Sequence, residues 1–321
     1  MTKQRIYITR KLPDKILEPY KELFDIRMWE KEEEPVPREV LLEEVKTANG
    51  LFCLLTEQVD KELLEKATHL QVVANMAVGY DNIDIETAKQ IGITVTNTPD
   101  VLTETTADLA FALLMATARR MLEANTYIKT DLWQHWSPFL LAGTDVHHKT
   151  LGIVGMGRIG TAIAKRAKGF DMKILYHNRS RHPQAESTLQ ATYTDFETLL
   201  READFVVSVV PLSKETNKLF NHHAFQTMKK EAIFINVSRG GVVDEQALYD
   251  ALQTQEIHAA GLDVFEQEPI RNSHPLLQLK NIVCLPHIGS ASMATRMEMA
   301  QLCLTNIAHV LTGEEPITPV K

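Results

Sequence analysis

The stretch LGIVGMGRIG, residues 151–160, decides the fold, because it joins an apolar strand pattern to a glycine-rich turn. A helical pattern, TAIAKRAKGF, follows it directly. In a dinucleotide-binding turn, Gly155 permits the tight bend, Gly157 lets the backbone approach a pyrophosphate, and Gly160 lets helix and strand pack closely. The helix that follows directs its first N–H groups at the phosphates. The stretch therefore predicts a nucleotide-binding strand–turn–helix unit, with a ligand-free glycine turn as the simpler alternative.

The segment YHNRSR, residues 176–181, lies about twenty residues further on, after the second predicted strand. A site that prefers NAD usually has a carboxylate there, which binds the ribose 2′-OH and would repel the 2′-phosphate of NADP. Asn178 removes that repulsion, while Arg179, Ser180 and Arg181 offer hydrogen-bond donors that suit a phosphate. We therefore expect NADP(H) as the preferred cofactor and NAD(H) as the alternative. The competing interpretation is a solvated basic turn.

Apolar strand-like runs alternate with helical patterns along most of the chain, which is typical of parallel α/β architecture. Near-continuous apolar runs indicate strands that are covered on both faces. The sequence predicts strands at 5–9, 50–55, 70–76, 93–97, 151–155, 173–177, 205–210, 232–237, 259–264 and 282–286. It also predicts one long helix from about Thr103 to Lys129, a helix at 291–311, and a solvated loop at 31–39.

Composition limits the class of protein. A chain of 321 residues is long enough for two domains, and its net charge of −8 argues against binding nucleic acid or anionic lipid. Cys53, Cys284 and Cys303 are widely spaced and odd in number, which favours buried thiols in a reducing compartment. The apolar run at 109–118 is too short to span a bilayer, and the start of the chain lacks a signal-peptide pattern. We expect a soluble cytoplasmic protein without a metal site.

Three further stretches place polar side chains at the ends of predicted strands, where ligands of doubly wound folds bind. NVSRGGVVDE carries Arg239, GLDVFEQEP carries Asp263 and Glu268, and LPHIGSAS carries His287. A cation can hold a substrate carboxylate, a histidine can donate a proton, and a neighbouring carboxylate favours its imidazolium form. Taken singly, each of these residues also has an ordinary structural explanation.

The ordered series of motifs resembles the D-isomer-specific 2-hydroxyacid dehydrogenases over nearly the whole chain. The motifs that carry the resemblance are MAVGYDNID, NTPDVLTETTADLAFAL, TLGIVGMGRIG, INVSRGGVVDEQAL, AAGLDVFEQEP and LPHIGSAS. Within that family the chain is most similar to the glyoxylate/hydroxypyruvate reductases and their 2-ketogluconate-reducing relatives. The resemblance implies a reductase that converts small 2-oxo acids into D-2-hydroxy acids, and the segment YHNRSR makes NADPH its expected reductant.

The resemblance also implies roles for individual residues. Arg239 matches the arginine that binds the 2-oxo acid, His287 the acid/base histidine, and Glu268 its carboxylate partner, for which Glu266 is a weaker candidate. Substrate contacts are expected from Val78, Gly79, Arg239, His287, Ser290 and Trp136. Cofactor contacts are expected from Gly155, Gly157, Arg158, Ile159, Gly160, Asn178, Arg179, Ser180, Arg181, Pro211, Thr216, Val237, Asp263 and Gly289.

The same resemblance implies two Rossmann-like domains of α/β class. The substrate domain, flavodoxin-like, would comprise residues 1–99 and 290–321, with a doubly wound NAD(P)-binding domain at 100–289 inserted between them. The helix at 103–129 would contribute to a homodimer interface. WQHWSPFL, residues 133–140, resembles a reductase segment that reaches the partner's active site, so Trp136 either completes that site or packs in the interface.

Two alternatives remain open from the sequence. One is another dehydrogenase of the family, such as a short phosphoglycerate dehydrogenase. A formate dehydrogenase is disfavoured, because that enzyme pairs its histidine with glutamine where this chain has Glu268. The other alternative is a nucleotide-sensing binding protein, which would not require Arg239, Glu268 and His287 together.

Overall fold

The computed structural model describes residues 3–320 and contains two parallel sheets. The glycine-rich turn that begins at Gly155, here called the glycine turn, follows a strand of the larger sheet. The described residues divide into two units, and the division falls after Leu102 and after Ser290. The first unit consists of the residues up to Leu102 and those from Ala291 onward, and the second unit is Thr103–Ser290. The sequence placed these two boundaries after residues 99 and 289.

The strands and helices alternate along the described residues. In chain order the strands are β1 (Arg5–Ile8), β2 (Asp25–Met28), β3 (Gly50–Cys53), β4 (Val72–Asn75), β5 (Thr94–Thr96), β6 (Thr150–Val154), β7 (Lys173–His177), β8 (Thr192–Tyr193), β9 (Phe205–Ser208), β10 (Ile233–Asn236), β11 (Ala259–Leu262) and β12 (Ile282–Cys284). The helices are α1 (Asp14–Lys21), α2 (Arg38–Glu44), α3 (Lys61–Lys66), α4 (Ile85–Gln90), α5 (Thr103–Ala118), α6 (Met121–Lys129), α7 (Arg158–Lys168), α8 (Pro183–Leu189), α9 (Phe196–Glu202), α10 (His222–Thr227), α11 (Glu245–Gln253) and α12 (Met293–Thr312). Short 3₁₀ turns occur at Gly240–Val242 and Pro275–Gln278.

The first unit contains a five-stranded parallel sheet in the order β2-β1-β3-β4-β5. This is the flavodoxin-like order, which the predicted fold class included. Strands β3 and β4 are buried along their whole length, because helices cover both of their faces. Helix α12 packs closely on β3, since a Cβ built on Gly50 would lie 2.7 Å from Ile307 Cγ2.

The second unit contains a seven-stranded parallel sheet in the order β12-β11-β10-β9-β6-β7-β8. Strand β6 pairs with β7 on one side and with β9 on the other, so the direction in which strands are added to the sheet reverses at β6. Ligands of open α/β sheets bind at the carboxyl ends of the strands around such a switch point. Because β6 ends at Val154, the glycine turn stands at this point, and the predicted α/β class is confirmed.

The structure differs from the sequence expectations in four places. Strands β2 and β8 were not predicted, because each lies at a sheet edge where no continuous apolar run is needed. The long helix expected at 103–129 is two helices, α5 and α6, separated by Arg120 at φ 51°. The break follows from a tertiary contact, since the Ala118 carbonyl accepts a hydrogen bond from Thr144 N at 2.8 Å. The loop expected at 31–39 ends early, because α2 begins at Arg38.

Two further observations concern the whole described chain. No helix between residues 3 and 320 has the length and apolar character that crossing a membrane would require. Cys53, Cys284 and Cys303 are all free thiols, and Cys53 and Cys303 are buried.

Candidate active site

The glycine turn connects β6 to α7 with a backbone that only glycine suits at its first position. Gly155 has φ +108°, and a Cβ there would lie 2.8 Å from the Val209 carbonyl. A Cβ at Gly160 would lie 2.2 Å from the Gly155 oxygen, so helix and strand approach as the fingerprint predicts. Gly157 is different, because a Cβ there would meet nothing within 4 Å. The fold does not require glycine at this position, whereas a phosphate group lying against the backbone would.

Asn178 follows β7 directly and braces this turn, a contact that the sequence did not reveal. Its Oδ1 accepts a hydrogen bond from Met156 N at 2.7 Å, and its Nδ2 donates to Met156 O at 3.4 Å. The position that carries a carboxylate in NAD-preferring sites thus holds an uncharged side chain that is bound to the turn. Arg158 and Ile159 begin α7 beside it, Arg158 exposed and Ile159 partly buried.

The two arginines of YHNRSR differ in their surroundings. Arg181 donates to both carboxylate oxygens of Glu186, with Nε–Oε1 at 2.9 Å and a terminal nitrogen–Oε2 at 2.7 Å. Glu186 also accepts a hydrogen bond from the Tyr176 hydroxyl at 2.6 Å, and these bonds, that of Arg181 foremost, lower the pKa of Glu186 to about 2. The negative charge of Glu186 therefore balances the positive charge of Arg181. Glu186 was not among the residues that the sequence analysis named.

Arg179 and Ser180 are exposed just before Arg181. In the loop that follows β9, the pKa of Glu215 is lowered, first by a hydrogen bond from the Ser213 side chain and to a smaller extent by the positive charge of Arg179. The charge of Arg179 therefore acts on this loop. Thr216 closes that loop by donating to the Pro211 carbonyl at 2.6 Å. Val237 follows β10 and is nearly buried. The expected cofactor residues Arg179, Pro211, Thr216 and Val237 thus follow the carboxyl ends of β7, β9 and β10.

His287 and Glu268 form the central pair of the site. Glu268 Oε2 lies 2.7 Å from His287 Nδ1, and Glu268 Oε1 accepts a hydrogen bond from Phe265 N at 2.9 Å. Burial alone would raise the pKa of Glu268, but the hydrogen bond and positive charge of His287 outweigh it and hold the pKa below the ordinary 4.5. Because Nδ1 faces Glu268, Nε2 of His287 is left as the ring nitrogen for a ligand.

Asp263 organises the turn that carries His287. Its carbonyl accepts a hydrogen bond from His287 N at 2.8 Å, and its buried carboxylate accepts one from Ile288 N at 2.8 Å. A Cβ at Gly289 would lie 3.3 Å from the same carboxylate, so the turn fits closely around it. Burial raises the pKa of Asp263 against the opposing effect of the Ile288 hydrogen bond. Ser290, the last residue of the second unit, is partly buried after this turn.

The side chain of Arg239 is held by a hydrogen bond within its own loop, and the next residue, Gly240, packs against the loop that carries Glu268. Arg239 donates to the Ser238 carbonyl at 2.9 Å, and its own carbonyl accepts a hydrogen bond from Asn236 Nδ2 at 3.0 Å. Its charge also contributes to the lowered pKa of Glu268. A Cβ built on Gly240 would lie only 1.7 Å from the Phe265 carbonyl carbon. The structure therefore brings Arg239, Glu268, His287 and Asp263 together at one edge of the second sheet.

Val78 and Gly79 lie in the first unit, in the turn that follows β4. Neither N–H donates a hydrogen bond to any acceptor in residues 3–320. Two such N–H groups in succession suit an anion such as a carboxylate. Trp136 is 77% exposed in an apolar segment that also contains Trp133 and Phe139. No cluster of three or more metal-ligating side chains occurs in the part of the chain that the structure describes.

Comparison with known proteins gives consistent matches. The family model for "D-isomer specific 2-hydroxyacid dehydrogenase, NAD binding domain" matches residues 111–289. The glyoxylate reductase of Pyrococcus horikoshii is 50% identical over 322 residues, covering 99% of this chain and 96% of that protein. That of Thermococcus kodakarensis is 49% identical over 320 residues, covering 98% and 96%.

A solved structure gives the same match at the level of the fold. It is an NADPH-dependent glyoxylate/hydroxypyruvate reductase from Sinorhizobium meliloti, in complex with NADP and malonate. It is 34% identical to this chain with a TM-score of 0.87, and the match covers 99% of this chain and 97% of that one.

Proposed function

The chain belongs to the family of D-isomer-specific 2-hydroxyacid dehydrogenases, and from that premise we propose that it is an NADPH-preferring reductase of small 2-oxo acids. Glyoxylate and hydroxypyruvate are the first candidate substrates, with 2-ketogluconate as a further one. The observation that carries the proposal is the Glu268–His287 pair at 2.7 Å, beside Arg239 and on the sheet that also bears the glycine turn. Relatives named glyoxylate reductase support the choice of substrates.

The residues around the glycine turn fit a bound dinucleotide. The open space at Gly157 suits a pyrophosphate, and the start of α7 offers N–H groups to it. We propose that Arg179 and Ser180 bind the 2′-phosphate of NADP, because Asn178 leaves no negative charge there. Arg181 would contribute less than Arg179, since Glu186 already pairs with it. NADH would be used as the weaker cofactor.

Substrate binding is assigned to three donors. The N–H groups of Val78 and Gly79 would hold the substrate carboxylate, and the guanidinium of Arg239 would hold the carboxylate and the carbonyl oxygen. As negative charge develops on that oxygen, Arg239 stabilises it. Ser290 is a further candidate contact.

Proton transfer is assigned to His287. Its Nε2 would donate a proton to the substrate oxygen, while Glu268 holds Nδ1 and balances the positive charge of the ring. The reduced nicotinamide, when bound, supplies the hydride that the carbonyl carbon receives. Asp263 fixes the turn that carries His287, so that the ring presents Nε2 in one orientation.

We also propose that the protein is a homodimer in the cytoplasm. The segment around Trp133, Trp136 and Phe139 exposes large apolar side chains, which in soluble proteins often mark an interface. Trp136 would then lie against the partner's active site. Three free cysteines fit a reducing compartment.

The substrate is tested by steady-state kinetics with NADPH and a panel of glyoxylate, hydroxypyruvate and 2-ketogluconate. We expect turnover with at least one of the three, and the ratio of kcat/KM values then identifies the preferred acid. Tight NADPH binding without turnover of any 2-oxo acid would instead indicate a nucleotide-sensing protein.

The cofactor is tested by comparing Arg179→Ala with Arg181→Ala. We expect Arg179→Ala to lower kcat/KM for NADPH by at least about tenfold, with little change for NADH, because one charge-assisted bond to the phosphate is lost. Arg181→Ala should have a smaller effect. A wild type that prefers NADH would refute the NADPH assignment.

A further inference from the structure

Three successive carbonyl groups in the turn after β4, those of Ala77, Val78 and Gly79, accept hydrogen bonds from donors within the first unit. The Ala77 carbonyl accepts a hydrogen bond from Thr98 N at 2.9 Å, and the Val78 carbonyl accepts one from Asn97 Nδ2 at 2.8 Å. The Gly79 carbonyl accepts one from Asn75 Nδ2 at 2.9 Å. The turn is therefore fixed through its acceptors.

The planarity of the peptide bond converts these contacts into an orientation. In a trans peptide the N–H of one residue points opposite to the carbonyl of the residue before it. Holding the Ala77 carbonyl therefore aims the Val78 N–H away from Thr98, and holding the Val78 carbonyl aims the Gly79 N–H away from Asn97. Neither of these two N–H groups has an acceptor in the described residues.

Only one of the two relevant donors is a side chain. Thr98 contributes its backbone N–H, which any residue except proline would supply. Asn97 contributes its side-chain amide, which is specific to this residue. Asn75 holds the carbonyl of Gly79, whose peptide carries the N–H of Tyr80, so it does not aim either of the two N–H groups.

Asn97 is itself fixed by the segment Ile317–Val320. Its N–H donates to the Thr318 carbonyl at 3.3 Å, and its carbonyl accepts a hydrogen bond from Thr318 Oγ1 at 2.7 Å. The side chain of Asn306, wholly buried in α12, donates to Thr318 Oγ1 at 2.8 Å and accepts from Thr318 N at 3.1 Å. The contacts thus run from α12 through Thr318 and Asn97 to the Val78 carbonyl.

We propose that Asn97 is a positioning residue for substrate binding. Its Nδ2 orients the Val78–Gly79 peptide so that the N–H of Gly79 meets the substrate carboxylate, and Thr318 keeps Asn97 in place. This inference rests on the proposed function, because it assumes that the two N–H groups bind that carboxylate.

The test measures binding of oxamate, a non-reacting analogue of a 2-oxo acid, to the protein saturated with NADPH. Asn97→Ala should weaken oxamate binding about tenfold, because one oriented hydrogen-bond donor to the carboxylate is lost. The Kd of NADPH alone should stay within twofold. In turnover, KM for the 2-oxo acid should rise while kcat at saturating substrate changes little.

Asn49→Ala is the matched control. Asn49 is also partly buried and precedes the central strand β3, whereas Asn97 follows β5, so the two lie at opposite ends of the strands of one sheet. Asn49 bonds to backbone through both side-chain polar atoms, accepting from Arg5 N and donating to His69 O. It should lower the melting temperature without weakening oxamate binding. A general loss of stability is thereby separated from a loss of orientation.

Thr318→Val supplies a second variant, because it removes the hydroxyl at nearly constant volume. We expect a smaller weakening of oxamate binding, about threefold, in the same direction. If Asn97→Ala does not fold, oxamate binding by Thr318→Val tests the proposal. Oxamate affinity equal to that of wild type in whichever variant is folded would overturn the proposal. A wild type that binds NADPH but neither binds oxamate nor reduces a 2-oxo acid would refute the proposed function instead.

Discussion

At the scale of single residues, the Glu268–His287 pair decides the chemistry that the second unit can perform. The two side chains come from the ends of neighbouring strands, β11 and β12, and are held by Phe265 N and by the turn around Asp263. The carboxylate occupies Nδ1, so only Nε2 can exchange a proton with a ligand. The pair therefore fits one-proton chemistry at a carbonyl oxygen.

His287→Ala should lower kcat by about 10² to 10⁴, since positioned general acids contribute rate factors of that size. The measurement is NADPH oxidation at saturating 2-oxo acid. His222→Ala is the control, because His222 is an exposed histidine that also lies beside a carboxylate, that of Asp250. A loss of less than tenfold for His287→Ala would rule out the proton-donor role.

Glu268→Gln should change how stability depends on pH. The pKa of Glu268 is depressed in the folded protein, so the unfolded chain binds more protons near pH 4.5 and the carboxylate stabilises the fold above that value. Wild type should therefore melt at a higher temperature than Glu268→Gln at pH 6 to 7. The difference should shrink as the pH falls below 4.5. Melting curves across this range provide the measurement, and a difference that grows on acidification would contradict the assignment.

At the scale of elements, glycines serve opposite purposes in the two loops that build the site. Gly240 joins the Arg239 loop to the Glu268 loop, because its Cα packs directly on the Phe265–Glu266 peptide. A Cβ built on Gly157 would meet nothing within 4 Å, so there is open space at the start of α7. Packing therefore requires glycine at position 240, whereas at position 157 the proposed pyrophosphate contact is the reason for a glycine.

A pair of substitutions separates these purposes. Gly240→Ala should destabilise the protein by more than about 2 kcal/mol and lower kcat, since a methyl group there forces the Arg239 loop and the Glu268 loop apart. Gly157→Ala should leave the melting temperature nearly unchanged while weakening NADPH binding at least tenfold. Thermal melts and NADPH fluorescence titrations measure the two effects. Equal NADPH affinity in Gly157→Ala and wild type would refute the pyrophosphate assignment.

The elements also show how far the sequence could predict this structure. Central strands such as β6 and β10 were predicted, because burial on both faces demands a continuous apolar run. The break at Arg120 was not, because it depends on Thr144, which is distant in sequence. The motifs of Arg239, Glu268 and His287 led to their selection as candidate site residues, and these three residues lie together in the second unit. The contacts of Asn97 with Thr318 could not be predicted, since they join residues 221 positions apart.

At the scale of the whole molecule, the segment of the second unit around Trp133, Trp136 and Phe139 exposes large aromatic side chains. Phe139 is 85% exposed and Trp136 is 77% exposed, whereas isolated proteins in water seldom present neighbouring aromatic side chains to this extent. A second copy of the chain is the occupant that we propose.

Phe139→Asp should therefore convert the protein from twice 36.3 kDa to a monomer, because a charge would be buried in an apolar interface. Sedimentation equilibrium gives the mass directly. Leu23→Asp, at a position that is 56% exposed in the first unit, is the control and should keep the wild-type mass. If wild type itself sediments at 36.3 kDa, the homodimer proposal fails.

The split of the first unit has a consequence for synthesis on the ribosome. Strands β1 to β5 emerge early, but α12, which packs on β3 and β4, is translated only after the complete second unit. At usual elongation rates the nascent chain lacks the helix that covers β3 and β4 for about 10 to 40 s, while the second unit is contiguous and can fold first. The incomplete first unit should therefore depend on chaperones until α12 leaves the ribosome. Slower translation of the second unit should increase aggregation of the nascent chain.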